Sequence, residues 1–443
     1  MTDPPDNIPA NEDWTAVSPI NRLRGELCLP GDKSISHRAA MIASLAQGQS
    51  TLENFSSAHD CAATLGCLQT LGVRVEKDAS FVTIHGTGTS GLQEAPQILN
   101  AQNSGTTMRL LSGILAGQPF ATTITGDESL RSRPMRRIAE PLRLMGAELE
   151  LESNGCAPLR IKGCRPLRPI DYRLPISSAQ IKSAVLLAGL AADGVTTVVE
   201  PSPTRDHTER LLREFGVPVE RNENKLSVRG GRKLAARKLL VPGDISSAAF
   251  FIAAAVSLPG SDLFIRDVGL NPTRTAFLST LREMGADIVV VEERLEGGEP
   301  LGSLRIRGIP LGNRKGFEVS GAAVSNLIDE LPLLAFLAAA LGFEMTLRDA
   351  AELRVKESDR IAATVLNLSR MGARIEERPD GWQIEGGGKL HGASLSAFGD
   401  HRIAMSCSIA ALSAQGPSKI NGAANSVAVS LPEFWELLKS VAE

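Results

Sequence analysis

The sequence predicts an α/β protein built as two similar domains, and three observations carry that expectation. First, a unit recurs six times: a helix-like segment rich in small apolar residues, a Gly, then a short β-like run. The helix-like segments are SHRAAMIASLAQG, TTMRLLSGILAG, AQIKSAVLLAGLAADG, SSAAFFIAAAVSLPG, LPLLAFLAAALG and IAMSCSIAALSAQG. They end at Gly48, Gly117, Gly194, Gly260, Gly342 and Gly416, at intervals of 69, 77, 66, 82 and 74 residues. Each Gly suits a left-handed helix C-cap. Second, an amphipathic helix closes each of the first five units in Leu/Met/Phe-Gly-Val/Ala, at Gly72, Gly146, Gly216, Gly285 and Gly372, and an alternating strand follows. Third, the 443 residues are 43% apolar and 22% charged, the balance of a globular chain able to bury a sizeable core.

Units of about 70 residues exceed the roughly 20–50 of common solenoid repeats. Three of them, about 210 residues, make an ordinary domain. Residues 32–243 are therefore expected to form one domain with units one to three. Residues 18–31 plus 244–443 form the other, with units four to six. The acidic, Pro-rich residues 1–17 read as a disordered tail. The small-residue helices are expected to be buried on all sides, the amphipathic helices to face solvent, and the sheets to lie between those two layers.

Forty-seven basic against 50 acidic residues leave a net charge of −3 without a charged block, so the basic excess of a nucleic-acid binder is missing. No segment is apolar enough to span a bilayer, and the N-terminus lacks the apolar stretch of a secretory signal. Six cysteines without CxxC spacing suit a reducing compartment, so a cytoplasmic location is expected. Gly86-x-Gly88-x-x-Gly91 follows a strand-like FVTIH but lacks the helix and the spaced acidic residue of a dinucleotide fingerprint, so it reads as a loop. GxxxxGK[ST], HExxH and GxSxG do not occur, and the six histidines are scattered without ligand spacing. Neither a metal nor a cofactor is expected.

The informative clusters are cationic and open helices. Gly31-Asp32-Lys33-Ser34-Ile35-Ser36-His37-Arg38 leads into the first small-residue helix, with Ser34 and Arg38 on one face. Lys356 and Arg360 sit four apart at another helix N-terminus. Cations there oppose the helix dipole, and such broken local rules mark functional sites; pairing with Glu357 and Asp359 is the alternative. Asn103–Arg109, Arg131-Ser132-Arg133-Pro134, Ser177–Gln180, Thr204–His207 and Asp400-His401-Arg402 also stand at helix openings. If equivalent helices point one way, their N-termini converge into an anion-binding cleft between the domains, suited to small, multiply anionic substrates.

LPGDKSISHR, NSGTTMR, SRP, SSAQIKSAVLLAGL, TRDHTE, LIDELP, LRVKESDR and GDHRIAM, in this order from about Leu23 to Glu443, resemble the 5-enolpyruvylshikimate-3-phosphate synthase family. The resemblance implies two domains of three βαβαββ units each, an inside-out α/β barrel. It implies transfer of enolpyruvyl from phosphoenolpyruvate to the 5-hydroxyl of shikimate 3-phosphate, on the route to chorismate and aromatic amino acids. By motif position, Lys33, Ser34, Arg38, Ser178, Ala179, Gln180, Arg205, Asp329 and Lys356 would hold shikimate 3-phosphate. Lys33, Gly105, Arg133, Gln180, Arg360 and Arg402 would hold phosphoenolpyruvate. Asp329 and Glu357, assisted by Lys33, would carry the proton transfers.

Some positions depart from familiar members: Ala179 stands where others have Ser, Leu110 where others have Pro, and Val429 near a position where others place a Lys. Gly105 implies room for the inhibitor glyphosate, hence sensitivity. The runner-up family, the enolpyruvyl transferase acting on UDP-N-acetylglucosamine, shares the repeat architecture, but its loop Cys and Lys-Asn motifs have no counterpart here. A non-catalytic scaffold would leave the Lys356/Arg360 and Arg131/Arg133 placements without purpose. A monomer is expected, because no segment is left over for an extra interface.

Overall fold

The computed structural model describes residues 13–310 and 316–443. The six small-residue segments form helices α1 (Lys33–Ser44), α2 (Gly105–Ala116), α3 (Ala179–Gly189), α4 (Ile245–Ser257), α5 (Leu331–Leu341) and α6 (His401–Leu412). They are buried nearly all round because Ala, Ser and Gly leave room for backbones to approach. Only Gly342 is a left-handed C-cap, at φ 74°. Gly117 has φ −90°, while Gly48, Gly194, Gly260 and Gly416 turn at positive φ beyond the helix end. The left-handed position directly after a helix belongs instead to Gly72, Gly146, Gly216, Gly285 and Gly372, which let the amphipathic helices stop and the next strand begin.

Five of the six sheets among the described residues are built to one plan. In the third unit, Asp171–Arg173 pairs in parallel with Val195–Val199, which pairs antiparallel with Lys225–Arg229, itself antiparallel to Val219–Asn222. The first strand of unit one arrives from the far end of its domain, as Leu234–Ala235 and Lys238–Leu240 beside Ala46–Glu53. That of unit four comes from the start of the chain, as Arg24–Cys28 beside Asp262–Arg266. The strands alternate buried and exposed residues, as in Leu159–Lys162 and Lys225–Arg229. The sheets are therefore outermost, with one face to solvent, and do not lie between two helix layers as expected. The amphipathic helices instead pack their apolar faces directly on the small-residue helices, as His59–Thr70 does on α1, and keep their polar faces in solvent.

Among the described residues the sixth unit contributes two strands to its sheet. Trp14–Val17 supplies the third, antiparallel to Ser418–Asn421, whose other side pairs in parallel with Ser394–Ser396. The expected N-terminal tail is corrected here: residues 1–12 lie outside the described residues, but Trp14–Val17 is a strand. The Lys419 ammonium sits 4.6 Å from the Trp14 ring centre, and Gly422 donates to the Asp13 carbonyl at 2.8 Å. An unpaired sheet edge is the physical reason for its order.

Two hydrophobic cores result. One gathers residues from Ile35 to Val241, the other residues from Val17 to Leu29 and from Ile245 to Val441. The chain crosses between them twice, and the crossings lie side by side: Asp32 donates its N–H to the Pro242 carbonyl at 2.8 Å, and Asp244 to that of Pro30 at 3.1 Å. Among the described residues no helix is long and apolar enough to cross a membrane.

Candidate active site

Between the two cores lies a cavity of about 510 Å³ whose walls come from both. From the first half it takes the N-termini of α1, α2 and α3, capped by Asp32, Ser104 and Ser178, whose side chains accept N–H bonds from the first turns. The second half contributes the N-terminus of α6, capped by Asp400, and that of the helix Arg360–Arg370, capped by Asp359. Orphan N–H groups and helix dipoles thus point into a space lined by Lys33, Arg109, Arg133, Arg137, Arg205, Lys356, Arg360 and Arg402. A protein of net charge −3 has gathered its cations locally.

Of the nominated residues, the structure brings Lys33, Ser34, Gly105, Arg133, Ser178, Ala179, Gln180, Arg205, Asp329, Lys356, Glu357, Arg360 and Arg402 to the cavity wall. Arg38 stands behind the wall. It is buried, giving Nη1 to the Ser34 carbonyl (3.0 Å), Nε to Thr208 Oγ1 (2.8 Å) and Nη2 to Ser183 Oγ (3.1 Å). Ser430, next to Val429, reaches the cavity but brings no charge.

The carboxylates and cations interlock across the two halves. Arg205 pairs with Asp329, and Arg133 Nη1 lies 3.5 Å from Glu357 Oε1. Arg360 donates Nη2 to Glu357 Oε2 at 2.6 Å and Nε to Asp400 Oδ2 at 2.8 Å, and its Nη1 is 3.5 Å from Asp329 Oδ1. Arg402 Nε is 3.6 Å from the same Asp329 oxygen. The Lys356 and Arg360 side chains, like charges in sequence, diverge: Lys356 Nζ faces Glu352 at 4.0 Å while Arg360 turns inward. Of the ion-pairing alternative, Arg360–Glu357 is formed, whereas Asp359 pairs with Arg354 at 2.8 Å.

These contacts set the protonation states. Burial pushes the Asp329 carboxyl up, but Arg205, Arg402, Arg274 and Arg360 more than offset it and hold the group well below the usual carboxylate range. Burial likewise raises Glu357, and Arg360 and Arg133 bring it well below its ordinary value. Burial pulls the Lys33 ammonium down, and Asp60 with Glu357 turns the net shift upward. Burial lowers Lys356. At neutral pH Asp329 and Glu357 are thus proton acceptors and Lys33 is charged.

Sequence reasoning missed Asp60, whose Oδ2 accepts from Lys33 Nζ at 3.1 Å. It opens the amphipathic helix His59–Thr70, and extending the helix-opening argument to that helix would have found it. Arg109 lay within a singled-out motif; its Nη1 donates to Gln180 Oε1 at 2.8 Å, joining α2 to α3. A Cβ built at Gly105 would meet that Nη1 at 2.6 Å, the mobile end of a long side chain, so it would displace the guanidinium and not the backbone. His401 also lines the cavity; burial and the Lys33 charge push its imidazole down to about 3.

Comparison with known proteins follows this geometry. The family model described as EPSP synthase (3-phosphoshikimate 1-carboxyvinyltransferase) matches residues 17–438. The chain is 48% identical to the 3-phosphoshikimate 1-carboxyvinyltransferase of Desulforamulus reducens, covering 96% of this chain and 98% of the relative. It is 50% identical to that of Methylococcus capsulatus, with 96% of each covered. The solved EPSP synthase of Acinetobacter baumannii superimposes with a TM-score of 0.86 at 45% identity, covering 97% of this chain and 98% of that one. With nearly the whole chain matched in sequence and in fold, the protein belongs to the EPSP synthase family.

Proposed function

We propose that this chain transfers the enolpyruvyl group of phosphoenolpyruvate to the 5-hydroxyl of shikimate 3-phosphate, releasing phosphate, in aromatic amino-acid biosynthesis. The observation that carries this reading is one cavity shared by two cores, lined by eight Lys and Arg and seven Asp and Glu residues, with Asp329 and Glu357 held ionised by the guanidinium groups beside them. Both substrates carry a phosphate and a carboxylate, and Arg forks bind such groups bidentately through charge-assisted bonds.

Lys33, Ser34, Ser178, Ala179, Gln180, Arg205, Asp329 and Lys356 hold shikimate 3-phosphate, with Arg38 supporting Ser34 from behind. Lys33, Gly105, Arg133, Gln180, Arg360 and Arg402 hold phosphoenolpyruvate. Asp329 and Glu357 enter the reaction as carboxylates, so one of them takes the proton of the attacking hydroxyl as its oxygen bonds to the enol carbon. The methylene carbon gains a proton in the same addition, and Lys33 enters charged. Loss of phosphate from the tetrahedral adduct returns a methyl proton to the protein and regenerates the enol. Arg205 pairs with Asp329 and Arg133 with Glu357, and in this reading the substrate anions compete with those carboxylates for the two guanidinium groups. The two cores are two domains, joined at the paired crossings 29–32 and 241–244, and their closure excludes water from the adduct. A monomer acting in the cytoplasm completes this reading.

The test is phosphate release from phosphoenolpyruvate with shikimate 3-phosphate or UDP-N-acetylglucosamine as acceptor, and with Asp329→Ala beside the wild type. Release only with shikimate 3-phosphate, lost in the variant, is expected. Release with the nucleotide sugar, or binding of both anions without release, would refute the assignment.

A further inference from the structure

Arg205 reaches the cavity from a loop that is gripped on both sides by buried polar groups unrelated to the ligand. On one side the grip is internal to the first half. The fully buried Lys182 ammonium lies 3.0 Å from Glu200 Oε1 and 2.7 Å from Glu209 Oε1, and it donates to the Thr204 carbonyl at 3.4 Å. Glu200 also accepts from the Thr204 N–H at 3.2 Å and from its hydroxyl.

On the other side the grip comes from the second half. Asn271, only 2% exposed, donates its two Nδ2 hydrogens to Asp206 Oδ1 (2.6 Å) and Glu299 Oε2 (2.9 Å). Its Oδ1 accepts from the Thr273 N–H (2.9 Å) and hydroxyl (2.8 Å), so all its capacity is used and the amide has one orientation. Glu299 Oε1 is 2.8 Å from His207 Nδ1, which therefore carries the hydrogen of that bond. Arg210 donates Nε to Asp206 Oδ2 at 2.8 Å and Nη1 to the Gly298 carbonyl at 3.0 Å. The two residues that follow Arg205, Asp206 and His207, are thus held by Asn271 and Glu299 across the joint.

We infer that Asn271 and Glu299 are positioning residues for shikimate 3-phosphate: they clasp Asp206 and His207 from the opposite half and so place the Arg205 guanidinium, tying the sugar-phosphate subsite to the domain joint. This rests on the reading of Arg205 as a ligand of shikimate 3-phosphate. One donor group between two carboxylates cannot be replaced by an acceptor. Asn271→Asp keeps the shape of the side chain but sets a third carboxylate against Asp206 and Glu299, and the loop must move.

The experiment uses the full chain and reads KM for each substrate, kcat, and the calorimetric Kd of shikimate 3-phosphate. For Asn271→Asp, Kd and KM for shikimate 3-phosphate rise about tenfold or more, the scale of one charge-assisted contact. The phosphoenolpyruvate KM and kcat stay within about twofold, as loss of uniform binding requires. Asp206→Asn added to Asn271→Asp returns a donor to the pair and recovers part of the affinity. Arg205→Ala weakens shikimate 3-phosphate by itself, and adding Asn271→Asp to it costs little more, because both act through one guanidinium. Additive losses, or equal effects on both substrates, would overturn the clasp. Unchanged affinity in Arg205→Ala would instead overturn the reading of Arg205. If Asn271→Asp does not fold by thermal unfolding, Glu299→Ala, which removes the acceptor shared by Asn271 and His207, takes its place with the same expectations.

Discussion

Replacing Gly113 by Ala tests the packing that holds the cavity together. Gly113 lies in the middle of α2, where the helix crosses α3. A Cβ there would stand 2.2 Å from the Ala184 carbonyl oxygen, 2.8 Å from its carbon and 2.9 Å from its Cα. All three atoms are backbone, so no rotamer relieves the contact. Since Cβ atoms do not approach within 3.0 Å, the helices must separate by at least 0.8 Å (3.0 − 2.2). Overpacking of this kind costs about 1–3 kcal/mol, offset in part by the roughly 1 kcal/mol that Ala gains over Gly within a helix. The expected net loss is up to about 2 kcal/mol, and the melting temperature falls by up to a few degrees. The same movement reaches the site. Gly105 and Arg109 stand on α2 and Gln180 on α3, and the 2.8 Å bond from Arg109 to Gln180 spans the two. A misplacement near 1 Å is expected to lower kcat/KM by about tenfold to a hundredfold. Gly66→Ala is the control, because Gly66 sits on an exposed helix face with nothing within 4 Å of the added carbon. It should gain about 0.5–1 kcal/mol and keep its activity. Calorimetric melting and steady-state kinetics on both variants decide the matter. Gly113→Ala as stable as Gly66→Ala, with unchanged kcat/KM, would refute the close-approach argument.

Two further outcomes follow from the charges. Asp60→Asn removes the nearest carboxylate from the Lys33 ammonium, which then titrates at lower pH; the alkaline limb of kcat/KM moves to lower pH, and kcat/KM at neutral pH falls about tenfold or more. A pH–rate profile from 6 to 10 with an unmoved limb would show that Asp60 does not control Lys33. His401 is held neutral in the fold, pushed by burial and Lys33 down to about 3, whereas the unfolded imidazole titrates near 6.5. Between those values the unfolded chain binds the extra proton, so stability is full above pH 6.5 and drains away as pH falls toward 3. His37, also lowered by burial, acts in the same direction. Urea midpoints measured from pH 7 to 4 should therefore fall less steeply in His401→Asn than in the wild type, and equal slopes would contradict the burial argument.

The sequence by itself determined the six helices, their burial and the clusters at their N-termini. These are local properties: small side chains permit close helices, Ser and Asp cap first turns, and a Lys or Arg at a helix opening is visible wherever it occurs. It also carried the motifs that place the chain in its family. Tertiary structure alone decided what each local feature meets. Trp14–Val17 reads as tail because nothing near it in sequence pairs with it; its partner is the sixth unit, some 400 residues away. The sheets lie outermost because burial is decided by neighbouring units, which amphipathic periodicity within one helix does not record. Arg38 retreats behind Ser34 because Ser183 and Thr208 offer it hydroxyls from two other helices. Asp60, buried beside Lys33, and Asn271, between two carboxylates, look ordinary in sequence; their weight comes from charge and desolvation acting over a few ångströms between segments that the chain keeps far apart.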